Sequence, residues 1–502
     1  MNIQVRNQMT NFVISLKKGA NYKLLLLFLC LCLILLLNSY FDPNGYLSPD
    51  STYYLRLSKN LLTGEGFRIA DYQSPDGESF FAIWPVGYPI LIFLMSKLTG
   101  LGIVWASKVL NLVIIGVILL LFRYIFRKNA YWVGLIFFID AIIELFSFTW
   151  SEGPFILFLF CIPILLYKTV ETNGKIVWLS GLLFSGIALF MMRYIGLVSA
   201  GIIGLIALTS LFRKRWRLSI RLLIVAILQL IFAGVYLYHN KIASGFITGM
   251  PRALPEESNH ELLNQLISAL KDEFLIIKWE VPLLISLALL FLLSVYLFKT
   301  RSKKYKDEKF DGLWKYFLLT GILYYVTIIG ARWFSNIEPL YFRFLAPGTF
   351  LIILSVATYL QGKPGIKIMN STKLYLLIVA IFTIHHFPNK YPVYKYLTTG
   401  KNYFSNLTYS ENNRAILEKY KDIPPKSVVI FGSIHLRYLR KDIIPTEIYG
   451  KSTFDDMIKY FTKKSDWNVY INIKDDLDPV LIHDSFIQFM EANKDKQVVK
   501  VK

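Results

Sequence analysis

Long apolar blocks, almost without charge, constrain this chain more than any other feature. KLLLLFLCLCLILLLNSY (23–40) and VPLLISLALLFLLSVYLF (281–298) are two of them. Blocks of that length cross a hydrocarbon core of roughly 30 Å as helices. In lipid the backbone must satisfy its own hydrogen bonds, so helices are the form expected. The pattern predicts about eleven spans. They cover 23–40, 103–122, 130–147, 154–168, 176–192, 195–212, 219–238, 281–298, 314–331, 342–360 and 372–388. The first block is too long for a signal h-region and lacks a small-residue cleavage site, so it reads as a retained anchor.

The formal charge is +21 over 502 residues, with 55% of them hydrophobic. In a soluble protein that charge would suggest nucleic acid. Here the basic residues sit in short loops between apolar blocks, such as RKRWRLSIR (213–221) and KTRSKKYKDEK (299–309). That pattern marks cytoplasmic loops and argues against a nucleic-acid partner. It predicts a cytoplasmic N-terminus, an outward first loop at 41–102 and an outward C-terminal segment. Cys30, Cys32 and Cys161 lie inside apolar blocks and build neither a disulfide framework nor a metal motif.

The expected fold class is an all-α polytopic membrane protein with a small C-terminal α/β extracytoplasmic domain. Residues 1–388 form the transmembrane domain in this reading. Its first outward loop carries two interfacial helices, around 53–62 and 85–98. Residues 389–502 turn polar, with strand-like runs KSVVIFG (426–432) and WNVYINI (467–473) and a helical pattern at 483–494. The central parts of the spans carry few charges, Asp140 and Glu144 being the main exceptions.

Ionisable groups near a membrane are costly unless paired or functional. Five on the outer side stand out. Asp50, in SPDSTYYL, suits a helix N-cap or a general base on a hydroxyl. Glu152, in FTWSEGPF, suits a solvated or capping acid at a helix start, where the dipole favours it. Arg193, Arg252 and Arg343 present planar forks that match phosphate oxygens, with snorkelling to headgroups as the alternative. Tyr54, Trp84, Tyr88 and Asn240 are candidates for lining a substrate pocket, although packing explains most aromatic residues here. His239, His385 and His386 lie near outer span ends without helical ligand spacing, so no metal and no other cofactor is assigned.

The order of motifs resembles the C-type glycosyltransferase superfamily. The nearest branch is the bacterial one related to protein mannosyltransferases and lipid A aminoarabinose transferases. The first loop reads DSTYYLRLSKNLLTGEGF (50–67) and then WPVGYP (84–89). SEGPF (151–155), MRYIGL (192–197), NKIASGFITGMPR (240–252) and YFRFLAP (341–347) follow in the same order. The resemblance implies inverting transfer of a sugar from a polyprenyl-phosphate donor, outside the bacterial cytoplasmic membrane, to a lipid, glycan or protein acceptor. It implies Asp50 as base, Glu152 as second acid, and Arg193, Arg252 and Arg343 on the donor phosphate. Membrane lipid is the other expected partner. Many relatives carry paired acids in the first loop; here Ser51 follows Asp50, which weakens the case for a divalent metal. Val86 replaces a proline of the family pattern. A lipid-linked glycan ligase or polymerase, or a transporter or flippase, is the alternative reading.

Overall fold

The computed structural model describes residues 19–71, 77–249, 257–274, 312–335, 339–361, 372–386, 409–446, 454–455, 467–473 and 484–501. In chain order the first elements are α1 (Gly19–Phe41), α2 (Pro49–Thr63), β1 (Arg68–Ala70), β2 (Glu78–Phe80), α3 (Gly87–Thr99) and α4 (Ile103–Phe126). Then come α5 (Asp140–Ser147), α6 (Glu152–Glu171), α7 (Ile176–Met192), α8 (Val198–Phe212), α9 (Trp216–Ser244), α10 (Asn259–Phe274), α11 (Leu313–Phe334), α12 (Phe342–Gln361) and α13 (Thr372–His385). The last are α14 (Tyr409–Lys419), β3 (Ser427–Ile430), α15 (Leu436–Leu439), β4 (Ile443–Thr446), β5 (Asn468–Asn472), α16 (Asp484–Ala492) and β6 (Val498–Lys500).

The protein is a polytopic, mainly helical membrane protein. Among the described residues, seven helical runs are long and apolar enough to cross a membrane. The expected spans at 176–192 and 372–388 appear as helices of 17 and 14 residues. The expected span at 281–298 lies outside the described residues.

Contacts divide the chain into two compact units. The first is Met1–Leu37, Val109–His239 and Met250–Phe387; the second is Asn38–Lys108, Asn240–Gly249 and Pro388–Lys502. The first outward loop, grouped by sequence with the spans, instead groups with the C-terminal segment. The reason is packing: Leu47, Leu55 and Val104 share a buried cluster with Tyr409 and Tyr438. Those apolar faces are covered only when loop and tail come together.

In the first unit one expected span is corrected. Residues 130–147 are not a continuous helix. A short turn at Ala130–Val133 passes into 3-10 geometry at Gly134–Phe138, Ile139 is extended, and α5 restarts at Asp140. The run still returns along α4. A Cβ on Gly134 would meet Leu119 and Leu27, whereas the carbonyls of Phe146 and Phe148 accept from Asn111 Nδ2 at 2.8 and 2.9 Å. An isoleucine-aspartate junction with extended backbone interrupts the ladder, and the hydropathy of the run conceals it.

Elsewhere in this unit small residues admit close neighbours, the usual device between helices in lipid. A Cβ on Gly321 of α11 would lie 3.0 Å from the Gly348 carbonyl of α12. Gln229 on α9 accepts from Ser199 at 2.9 Å and donates to the Leu182 carbonyl at 3.1 Å, tying three helices. A Cβ on Gly186 would occupy the same space as that amide.

The second unit holds a four-stranded sheet in the order β4-β3-β5-β6. β3 pairs parallel with β4 and with β5, and β6 runs antiparallel to β5. Every residue of β3 is buried, as a central strand covered on both faces requires. Val428 and Ile430 face Phe486 and Met490 of α16, while Val429 faces Ile416 of α14 and Leu436 of α15. The two strand-like runs and the final helical pattern read from the sequence thus match β3, β5 and α16.

His435 sits in this unit beside Asn413 Oδ1 (2.8 Å) and the Tyr438 hydroxyl (3.0 Å). Burial pushes its imidazole from 6.5 down to about 4. The unfolded chain therefore binds a proton that the fold refuses. Stability from this group is intact above about pH 6.5 and is lost as pH falls toward about 4. Hydrogen exchange of the β3 amides in full-length protein, corrected for intrinsic rates, should show protection falling through that window. His435→Gln should flatten the fall; an unchanged slope would exclude His435 as its cause.

Candidate functional site

The first unit gathers three of the expected residues around one carboxylate. Glu152 opens α6, where the helix dipole favours a negative charge. Its neighbour Gly153 permits the turn to press on α4, since a Cβ there would lie 3.1 Å from Asn111 Oδ1. Asn111 in turn holds the preceding segment through the Phe146 and Phe148 carbonyls. Glu152 is fully buried. Its Oε1 accepts from Arg193 Nη1 and from Arg343 Nε, and its Oε2 accepts from Ser151 Oγ at 3.4 Å.

Each arginine is aimed by local structure. Arg193 leaves α7 with extended backbone (φ −153°, ψ 139°) and enters a 3-10 turn over Tyr194–Leu197. Gly196 makes that turn possible: a Cβ would lie 2.4 Å from the Leu189 carbonyl carbon. Arg343 stands in the first turn of α12, and Tyr324 OH donates to the adjacent Phe344 carbonyl at 2.9 Å. The Arg343 guanidinium carbon lies 4.2 Å from the Trp150 ring centroid, and Trp150 stacks on Phe148. Arg343 Nη1 also donates to Tyr341 OH at 3.3 Å.

Two guanidiniums and one carboxylate meet in a mostly buried place. Side-chain exposure is 0% for Glu152, 5% for Arg343 and 15% for Arg193. The planar donors of a guanidinium match phosphate oxygens. Arg252 lies outside the described residues.

The second unit holds Asp50, Tyr54, Trp84, Tyr88 and Asn240. The helix cap that Asp50 could have supplied is supplied by Ser48. Ser51 N donates to Ser48 Oγ at 3.3 Å and Ser48 N donates to Ser51 Oγ at 3.0 Å, with Pro49 entering the helix. Ser51, the residue after Asp50, thus closes a capping box. Asp50 lies in the first turn of α2, 8% exposed. Tyr54 packs against Tyr88 edge to face at 5.2 Å and against Trp84 at 5.5 Å. Tyr54 and Tyr88 are buried, and Trp84 is half-buried. Asn240 is buried and donates to the Ile247 carbonyl at 3.2 Å, closing the turn before Gly249.

Several residues that matter here escape sequence reading. Trp150 and Asn111 act through contacts distant in the chain. Arg56 and Arg437 line a basic cleft with Tyr53 and Lys441 in the second unit. Arg437 donates to Thr52 Oγ1 at 2.9 Å and lies over the Tyr53 ring. Arg56 is buried, and its Nε and Nη1 have no hydrogen-bond partner among the described residues. A basic residue on the apolar face of an amphipathic helix was its one signal in the sequence.

The cluster predicts unequal costs. Glu152→Ala leaves two buried guanidiniums facing each other and should destabilise the protein by about 3–5 kcal/mol. Arg193→Ala leaves Glu152 paired with Arg343 and should cost less. Thermal unfolding of the two variants in detergent checks this; equal shifts would contradict the shared-carboxylate arrangement.

No family model and no curated protein matches the chain. Among solved structures it is similar to the oligosaccharyltransferase AglB of Archaeoglobus fulgidus in complex with an inhibitory peptide and a dolichol-phosphate. Identity is 13%, the match covers 90% of this chain and 70% of that one, and the TM-score is 0.43. The same oligosaccharyltransferase with a tethered acceptor peptide gives 12%, 91%, 69% and 0.43. ArnT from Cupriavidus metallidurans in the apo state gives 11% identity, 89% and 92% coverage and a TM-score of 0.41. Superpositions this loose assign neither a family nor an activity.

Proposed function

We propose that this chain is a C-type membrane glycosyltransferase, moving a sugar from a polyprenyl-phosphate-linked donor to an acceptor at the outer face of the bacterial cytoplasmic membrane. The observation that carries the reading is the buried Glu152–Arg193–Arg343 cluster, in which one carboxylate holds two guanidiniums side by side. The ordered motifs of the chain support it independently. The basic loops support a cytoplasmic N-terminus and an outward second unit.

In this reaction the acceptor oxygen attacks the anomeric carbon from the face opposite the phosphate. The bond between that carbon and the phosphate oxygen breaks, and the configuration inverts. The acceptor proton passes to the Asp50 carboxylate. For a monophosphate donor, polyprenyl phosphate leaves one unit more negative than it was in the ester. Arg193 and Arg343 stabilise that growing charge, and Arg252 is assigned the same role by its motif. Glu152 holds the two guanidiniums in place and keeps them from repelling each other when no donor is bound.

The role of Asp50 is tested by Asp50→Asn, assayed for transfer from a polyprenyl-phosphate sugar in reconstituted membranes. A lost general base predicts a fall of about 10²–10⁴-fold in turnover at unchanged expression. Normal turnover would remove Asp50 from the mechanism. Arg343→Lys keeps the charge but not the fork, and should lower donor affinity more than acceptor affinity. Equal effects on both would count against the phosphate role.

A further inference from the structure

A second cluster in the first unit carries chemistry that sugar transfer does not use. Asp140 restarts the interrupted run at the head of α5, directly after the extended Ile139. His385 closes α13 and His386 follows it. Successive side chains inside a helix diverge by about 100°, so neighbouring imidazoles reach one point most readily at a helix end. Here both do. His385 Nε2 lies 3.4 Å and His386 Nδ1 lies 3.2 Å from the same oxygen, Asp140 Oδ1. The ligand atoms of the three residues all lie within 4.8 Å of one another.

The two distances to Asp140 Oδ1 are those of a coordination shell. Bonds of about 2.0–2.1 Å to a tetrahedral zinc-type ion place neighbouring donor atoms about 3.3 Å apart. The surroundings fit as well. His386 Nε2 faces the Phe138 carbonyl at 2.9 Å, and a carbonyl only accepts, so that nitrogen carries its hydrogen. Nδ1 is then the nitrogen that faces the carboxylate oxygen, and a cation, either a metal ion or the ring's own proton, belongs between them. A backbone carbonyl on the far nitrogen is also the usual partner that orients a metal-ligating imidazole. Asp140 Oδ2 is buried with no hydrogen-bond partner among the described residues. The histidine spacing alone shows none of this, because the third ligand lies far away in sequence.

We propose that Asp140 Oδ1, His385 Nε2 and His386 Nδ1 bind one divalent transition-metal ion of the zinc type. Three protein ligands leave a fourth position for water or another oxygen. The ion clips the short α13 to the break before α5, where the hydrogen-bond ladder is open. This site does not depend on the transferase reading, and its test needs no activity.

The test uses full-length protein without a polyhistidine tag, purified in detergent and dialysed against trace zinc chloride. Elemental analysis should find about one zinc ion per chain, and chelation should lower the unfolding temperature until zinc is restored. Asp140→Asn and His386→Gln should each abolish the retained metal. Cobalt chloride added to the chelated, unaltered protein should give the visible absorption of a tetrahedral site, which keeps the test decisive if either variant fails to fold. Absence of stoichiometric zinc, with no cobalt spectrum and no thermal response, would overturn the proposal and leave a protonated His386 paired with Asp140.

Discussion

One carboxylate shared by two guanidiniums organises the first unit. Glu152 has no exposure, and a carboxylate buried in this way is stabilised by the two arginines that meet it, Arg193 and Arg343. The converse also holds. Two guanidiniums brought together without an acid between them would repel at short range. Much of the nearby structure serves this arrangement. Asn111 holds the segment leading to Glu152, Gly196 turns Arg193 inward, and Trp150 lies under Arg343.

The second unit follows a different logic. Its sheet is short, and two clusters fill its opposite faces. A third cluster draws in Leu47, Leu55 and Val104 from the first loop. Lys59 Nζ donates to the Tyr438 carbonyl at 3.0 Å, and Asn412 Nδ2 donates to the Pro43 carbonyl at 2.7 Å. Asp50 therefore sits on a helix whose position depends on the tail.

Sequence reading reached the parts governed by periodicity and missed those governed by long-range contact. Hydropathy marked the spans that became α1, α4, α6 and α12 to within a few residues, because the lipid demand acts on each segment separately. It also marked 130–147 as one span, although the backbone breaks at Ile139; apolar content is blind to a local change of ψ. Short strand-like runs in a polar segment found β3 and β5. It could not show that 38–108 packs with the tail, since neither segment's pattern names its partner. Glu152, Arg193 and Arg343 were visible as costly charges, and the structure brings them onto one oxygen. Asp140 was visible as an oddity within a span, with nothing in the sequence to pair it with His385 and His386.

The central claim is that the Glu152 cluster receives the phosphate of a lipid-linked sugar. Native mass spectrometry of the purified protein with a polyprenyl phosphate, and with the uncharged polyprenol of the same length, tests it most directly. The account predicts a retained phosphate lipid and a polyprenol that dissociates readily, with inorganic sulfate competing against the former. Equal retention of both lipids, unaffected by sulfate, would contradict it.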